Sequence, residues 1–382
     1  MDVDIWDLGS KINIKIKREF MELINFEIKR RYGSKPKFYK VFIEHSDVDF
    51  DVFRNRFKYA HKSFLDLHFM MNICLMLDVP FHDLQNNIVA YKISGGYNTI
   101  ENPILPIKIT PILDMLVAHT IGDGNVAKGR GNREPYLSYR QYDQHYKLLY
   151  IKKIESVFGR LNYRKECYKD ETNTQVSFPA VISALIFKTY NLGLDDFKTE
   201  TARIPKEIFD KDWKHKLAFL IGIIIDEGFI DSCLIVIRMK NFDFIKDLEV
   251  ICNSLGYETT IRPDTHGLTG LYILSRSLDK FYKHYLILLN EHPEADLGYK
   301  GKKLKEFIDR IDKPKIYLPG NKIKVLELLS VENLSVNELA TKLSMTRQGA
   351  RYLVHKLVAE DKIEVKSIAK FDNWKYGVKS IC

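Results

Sequence analysis

Cysteine is scarce in this 382-residue chain: Cys74, Cys167, Cys233, Cys252 and Cys382 are scattered, odd in number and without a Cys-x-x-Cys pair. That spacing speaks against a disulfide framework or a zinc ribbon and fits a reducing, cytoplasmic setting. Long apolar runs are missing too. None approaches the roughly 18–20 residues that a membrane-spanning helix needs. The opening Met-Asp-Val-Asp-Ile-Trp is acidic and has no signal-peptide pattern, so no membrane partner is expected. What remains, 45% apolar and 29% charged residues, suits a soluble chain with room for two or three domains with real cores.

Positive charge is in excess, and it is unevenly spread. The net charge is +9; residues 299–382 hold fifteen Lys and three Arg against ten acids, a local surplus of +8, so the rest is nearly neutral. A basic terminal module points to a polyanionic partner.

Two stretches about a hundred positions apart answer each other: Leu116–Gly124 (Leu-Val-Ala-His-Thr-Ile-Gly-Asp-Gly) and Leu220–Gly228 (Leu-Ile-Gly-Ile-Ile-Ile-Asp-Glu-Gly). Each is an apolar helical run with small residues (Ala118 and Gly122; Gly222) that let helix backbones approach closely. Each ends in an acid followed by glycine. Two packed helices ending side by side would bring Asp123 and Glu227 together, which is costly unless a cation neutralises them. A divalent-metal site on a pseudo-twofold axis is the expectation.

The surrounding order repeats as well. Thr110-Pro111 opens the first apolar helix as N-cap and first-turn proline. A strand at Tyr136–Tyr142, a helix near Tyr146–Phe158, strands near Tyr163–Lys169 and Gln175–Phe178, and a helix at Ala180–Tyr190 follow. After Ile204-Pro205, Asp210 or Asp212 can cap the second apolar helix. Next come strand Leu234–Lys240, helix Phe244–Ser254, strands Tyr257–Arg262 and Leu271–Ser275, and helix Leu278–Leu289. Ile151–Glu155 with Leu161–Tyr163 aligns without gaps on Ile245–Glu249 with Leu255–Tyr257. That offset is 94 against 104 between the acids, which assigns about ten extra residues to the first half, expected at the Gly129–Pro135 turn. Internal repetition of this kind governs the fold class.

Before the repeat, residues 1–60 mix basic helical stretches (Lys11–Arg31) with extended-looking segments such as Phe38–Glu44. Phe64–Leu77 and Asp83–Lys92 can form two helices across a tight turn, a helix-turn-helix or an ordinary hairpin. Residues 321–379 read as a winged helix. Its helices are Ile323–Leu329, Ser335–Leu343 with a Ser335/Glu338 capping box, and Thr346–Glu360; the hairpin is Ile363–Ile368 with Trp374–Val378. Arg347, Gln348, Arg351 and Tyr352 crowd the start of the third helix, where a recognition helix meets base edges.

The paired motifs and the αββαββα order over residues 105–310 resemble the LAGLIDADG endonucleases. The resemblance implies an α+β fold: a tandem pseudo-twofold αββαββα repeat, with two antiparallel sheets forming a saddle over double-stranded DNA. Its halves would be about 105–209 and 210–312, flanked by a mainly helical domain at 1–104 and a winged helix at 313–382. It further implies site-specific DNA cleavage by a monomer with Mg²⁺ and no small-molecule cofactor. Asp123 and Glu227 would be the metal-binding acids, with the carbonyls of Gly122 and Asp226 as further ligands and Lys198 and Lys300 (or Lys303) near the reacting water. Ser138, Arg140, Arg238 and Lys240 would line the DNA face. Asp226 departs from the pattern by standing where a small residue is usual, and His119 is expected as a satisfied interface side chain. A non-cleaving DNA-binding regulator on the same scaffold, or an RNA-splicing maturase, are the alternatives.

Overall fold

The computed structural model describes residues 2–9, 11–45, 48–96, 98–127, 135–162, 175–177, 179–231, 233–264, 267–311, 320–367 and 374–379. They fall into two compact units, Met1–Asp309 and Arg310–Cys382. Helices mix with antiparallel sheets in both, an α+β organisation.

The centre of the first unit is a pair of helices, Pro111–Ile121 and Trp213–Glu227, called here the first and second motif helices. Every residue of Pro111–Ile121 is buried, as is the run Leu217–Ile225. Helices that are apolar all round belong in a core. The starts of the two helices are set differently. Asp212 caps the second, its carboxylate accepting from Lys214 N at 2.8 Å and His215 N at 3.3 Å. Thr110 holds the N-cap position of the first but makes no side-chain cap bond, and its buried hydroxyl has no partner among the described residues. Buried Asp114 instead fastens the two starts together: it accepts from Lys211 Nζ at 2.6 Å and also meets Tyr190 and His215.

After each motif helix the chain turns directly into a hairpin. Gly124–Ala127 pairs with Tyr136–Arg140, and Gly228–Asp231 pairs with Leu234–Met239. Helices Gln144–Phe158 and Phe242–Ser254 follow, and each half closes with another helix, Ala180–Thr189 or Ser275–Glu291. The second half completes a four-stranded sheet in the order Gly228–Asp231, Leu234–Met239, Thr269–Ile273, Thr259–Pro263. Among the described residues the corresponding sheet of the first half has three strands, with Gln175–Ser177 on the outer side of Tyr136–Arg140. The strand expected at Tyr163–Lys169 and the extra residues 129–134 lie outside the described residues.

Residues 1–104 are rich in helix as expected but are not a separate domain, since one compact unit runs from Met1 to Asp309, and two segments differ from expectation. Phe38–Glu44 is not extended: Lys35–Phe42 is a helix, with Ser34 as N-cap and Pro36 in its first turn. Ile88–Ile93 is not a second helix but a strand. Rich in β-branched residues and buried at Ile88, Ala90, Tyr91 and Ile93, it pairs with Ile12–Ile16 on one side and Thr99–Glu101 on the other. The helix before it, Phe81–Asn86, is only six residues long. Its buried Gln85 accepts from Ile5 N and donates to Asp4, both at 2.9 Å, which ties the helix to the start of the chain. The sheet then extends into the first repeat, since Thr99–Glu101 pairs with Arg160–Asn162. One apolar core runs from Ile5 to Ile308.

The second unit has its own core of Val325, Leu329, Leu339, Val354, Leu357 and neighbours. Helices Asn321–Val331, Val336–Lys342 and Arg347–Ala359 pack with a three-stranded antiparallel sheet of Leu334–Ser335, Lys375–Val378 and Ile363–Ser367. The Ser335/Glu338 capping box forms: Ser335 N donates to Glu338 at 2.7 Å and Glu338 N to Ser335 Oγ at 3.3 Å.

Candidate functional site

Small residues decide how close the motif helices come. A β-carbon added at Gly222 would lie 2.7 Å from Ala118 Cβ, and one at Gly122 would lie 2.8 Å from Asp226 Oδ2. The glycine after each acid is required by the same argument. A side chain at Gly124 would strike the Thr120 backbone at 2.5 Å and one at Gly228 the Ile224 backbone at 2.8 Å, because each strand leaves its helix by folding back on the last turn.

This close approach gathers three acids at the helix ends. Asp123 and Glu227 are partly exposed. Burial, with Asp226 beside it, pushes the Asp123 carboxyl up to about 7. Burial and then the charges of Asp123 and Asp226 push Glu227 up to about 7 as well. Among the described residues Asp123 accepts from Gln141 Nε2 at 3.3 Å, whereas Glu227 accepts no hydrogen bond.

Asp226 is different. Its side chain is 0% exposed, and both oxygens are engaged: Oδ1 accepts from the Tyr139 hydroxyl at 2.8 Å, and Oδ2 faces His119 Nδ1 at 2.9 Å and Asp123 N at 3.5 Å. On the far side of the ring, His119 Nε2 lies 3.0 Å from Lys153 Nζ. Burial, reinforced by the Lys153 and Lys300 charges, holds His119 well below its ordinary range and so neutral. The partners then fix the tautomer, with Nδ1–H donating to Asp226 and Nε2 accepting from Lys153. Burial raises the Asp226 carboxyl and lowers the Lys153 ammonium. The ring thus bridges an acid and a base that would otherwise be buried apart. The expectation of a satisfied histidine at 119 matches this geometry.

Lys300 is 5% exposed and reaches the end of the second motif helix. Its ammonium donates to the carbonyls of Ile224 (2.9 Å), Ile225 (2.5 Å) and Gly228 (2.7 Å). Burial lowers its pKa, while Asp226, Asp123 and Glu227 oppose that shift. It therefore supplies donors where the helix ends and the strand begins, and adds positive charge beside the acids. Lys198, the expected counterpart, is held in an exposed ion pair instead. It follows the one-turn helix Leu194–Phe197, is 63% exposed and pairs with Asp195 at 2.8 Å. Lys303 is exposed, 5.4 Å from the Tyr299 ring.

A divalent cation fits these donors. Carboxylate and carbonyl oxygens suit Mg²⁺, which uses one or two carboxylates and keeps open positions for phosphate oxygens. Among the described residues no three His, Cys, Asp or Glu side chains converge as a ready-made cage, so Asp123 and Glu227 are the side chains on offer. Asp226 is excluded as a side-chain ligand because its carboxylate is fully buried and engaged. The accessible part of that residue is main chain, which leaves its carbonyl, like that of Gly122, as the group it can present.

The expected DNA-facing residues divide. Ser138 is 2% exposed, its hydroxyl 3.4 Å from Asn125 O, and so is not on an accessible face. Arg140 and Lys240 are exposed, and Arg238 is partly so. In the second unit Arg347, Gln348, Arg351 and Tyr352 are all exposed on the first two turns of their helix. Sequence reading missed Tyr139, Gln141 and Lys153. Tyr139 alternates like a core residue; Lys153 could have been flagged, since the gapless repeat sets it opposite Asp247, an unusual pair for two buried positions.

No protein-family model matches the chain, and no curated protein resembles it in sequence. Solved structures overlap it in part. The homing endonuclease I-DmoI in complex with DNA and Mn is 19% identical over 46% of this chain and 97% of its own (TM-score 0.34). The homing endonuclease I-WcaI bound to its DNA recognition sequence is 14% identical over 51% of this chain and 87% of its own (TM-score 0.33). Full-length DUF199/WhiA from Thermatoga maritima is 11% identical over 65% of this chain and 90% of its own (TM-score 0.29). At this level of similarity the functional reading rests on the residues themselves.

Proposed function

We propose that this protein is a metal-dependent DNA endonuclease of the two-motif LAGLIDADG type, with the second unit as a winged-helix DNA-binding module. One observation carries the reading: two solvent-reaching carboxylates, Asp123 and Glu227, stand at adjoining ends of two tightly packed helices and are both raised to about 7. Nothing in folding calls for raised acids at that junction, whereas a divalent cation would restore their charge.

Asp123 and Glu227, with the Gly122 and Asp226 carbonyls, would hold the cations. A bound divalent ion supplies charge neutralisation at the scissile phosphate and a more acidic water. The chain's own residues do the rest. Gln141 orients Asp123 through its Nε2–H donor. Lys300 keeps the second helix end in register and lowers the cost of two acids and a phosphate in one place. Arg140, Arg238 and Lys240 on the sheet faces, and Arg347, Gln348, Arg351 and Tyr352 on the second unit's third helix, would contact duplex DNA.

A second reading, a DNA-binding regulator that does not cut, draws support from exposed Arg347, Gln348, Arg351 and Tyr352 in the second unit, which would contact DNA whether or not the acids act. Incubation with a randomised duplex library and Mg²⁺ separates the two. The nuclease reading expects cleavage that disappears in Asp123→Asn and Glu227→Gln while binding persists. Sequence-selective binding with no cut under any divalent ion would leave the regulator.

A further inference from the structure

The sheet of the second repeat carries an arrangement that the catalytic reading does not use. Arg238 is paired in register with Gly270, and Gly270 with Arg262, so the three residues form one row across adjacent strands. Residues directly opposite in antiparallel strands share a face, and neighbouring strands lie about 4.8 Å apart. Two arginines therefore stand on the same face, roughly 10 Å apart at their Cα atoms, with no side chain between them. The gap is floored: a β-carbon at Gly270 would lie 2.7 Å from the Tyr272 ring, so that ring covers the glycine. Arg262 has its guanidinium 5.5 Å from the same ring.

Arg238 is held more firmly. Its guanidinium lies 4.5 Å from the Phe229 ring centre and is paired with the Asp264 carboxylate, which also accepts from the Tyr272 hydroxyl at 3.1 Å. Asp264 is 9% exposed and Arg238 40%. The clamp is thus buried while the guanidinium still reaches solvent.

A phosphate contact needs none of this. It asks only for positive charge, which a mobile lysine supplies, and a carboxylate beside the cation weakens it. A guanine contact needs the reverse: a guanidinium fork pre-set in direction so that two N–H groups meet O6 and N7 together. Prior fixing by Asp264 and Phe229 reduces the ordering cost on binding.

We propose that Arg238, clamped by Asp264 and Phe229 beside the Tyr272-floored gap, reads a guanine in the half-site bound by the second repeat. This rests on the DNA-binding reading above. Arg140 is its equivalent in the first repeat, since Tyr139 pairs with Gly124 as Ile237 pairs with Gly228. Among the described residues Arg140 has a Tyr142 ring at 5.9 Å but no carboxylate partner, so it is the internal control.

The test is selection of bound duplexes from a randomised library with Ca²⁺ in place of Mg²⁺, using the full chain. Wild type should select guanine at one position of one half-site. Arg238→Lys keeps the charge and should lose about 10- to 100-fold selectivity at that base pair alone, with the salt dependence of binding unchanged. Asp264→Asn should weaken selectivity at the same base pair, and Arg140→Lys should leave it intact. Retention of the guanine preference in Arg238→Lys, or a uniform fall in affinity across sequences, overturns the inference but leaves DNA recognition standing. A wild-type chain with no duplex sequence preference overturns both. Circular-dichroism melts of each variant confirm that the comparison is between folded proteins.

Discussion

In the first repeat the motif-helix face that meets Asp226 carries His119, with Tyr139 and Lys153 behind it. Applying the 104-residue offset of the acids, the pairing of the hairpins and the gapless alignment, the second repeat has Ile223, Ile237 and Asp247 at those places. Asp226 itself stands opposite Gly122. The second repeat thus supplies one extra buried acid, and the first repeat supplies the polar groups that satisfy it. Asp247, where Lys153 would be, finds its own partner in Arg203 at 2.7 Å. Two repeats with one element order can therefore be unequal at their contact. Asp123 is tethered through Asp226, Tyr139 and Gln141, while Glu227 is left to solvent and to whatever cation arrives.

The largest test of this inequality is cleavage. Asp123→Asn and Glu227→Gln each remove charge worth several kcal/mol in the transition state, so double-strand cleavage should fall by about a hundredfold or more, read as linear product from a plasmid target. Next in size is the network. His119→Ile copies the second repeat but strands Asp226 and Lys153, and breaking one partner of a buried charged set costs about 3–5 kcal/mol. Chemical denaturation should show that loss. The combined His119→Ile, Tyr139→Ile, Lys153→Met and Asp226→Gly chain should recover most of it, because no buried charge is left alone. If the single and combined variants are equally stable, the network is not what holds Asp226.

Gly222→Ala tests the close approach and should cost about 1–3 kcal/mol, since its methyl carbon would lie 2.7 Å from that of Ala118.

A smaller effect is expected with pH. Asp123 and Glu227 are raised above their unfolded values, so they bind more protons in the folded chain between their ordinary carboxylate range and about 7. Their contribution to stability is present at low pH and lost as pH rises through 7. The metal-free melting temperature should show that decline over pH 4.5–7.5, and added Mg²⁺ or Ca²⁺ should reduce it. Lys198→Ala, at an exposed lysine, should change neither melting temperature nor cleavage; a clear loss of cleavage would return it to the site.

Much of the fold was legible because its signals are local. The paired apolar helices, the strands at Tyr136–Tyr142 and Leu234–Lys240, the repeat offset and the Ser335/Glu338 box all follow from periodicity or from contacts within a few residues. Residues 1–104 were read less well. Ile88–Ile93 is a strand only because Ile12–Ile16 and Thr99–Glu101 lie beside it, and a short β-branched run does not announce its neighbours. The two lysines show the same divide at the site. In sequence Lys198 and Lys300 both follow the last strands of their halves; in space one is solvated and the other caps three carbonyls.

The sequence by itself determined which residues are the candidates for the chemistry: two acids, each closing an apolar helix and each followed by a glycine. That is so because helix periodicity and small-residue spacing are written along the chain. Only the tertiary structure decided what Asp226 is. Whether a carboxylate is a ligand or a buried strut depends on which groups surround it, and its partners His119 and Tyr139 lie 107 and 87 residues away. Hydrogen bonds and desolvation act through space, so no pattern along the backbone could have assigned that role.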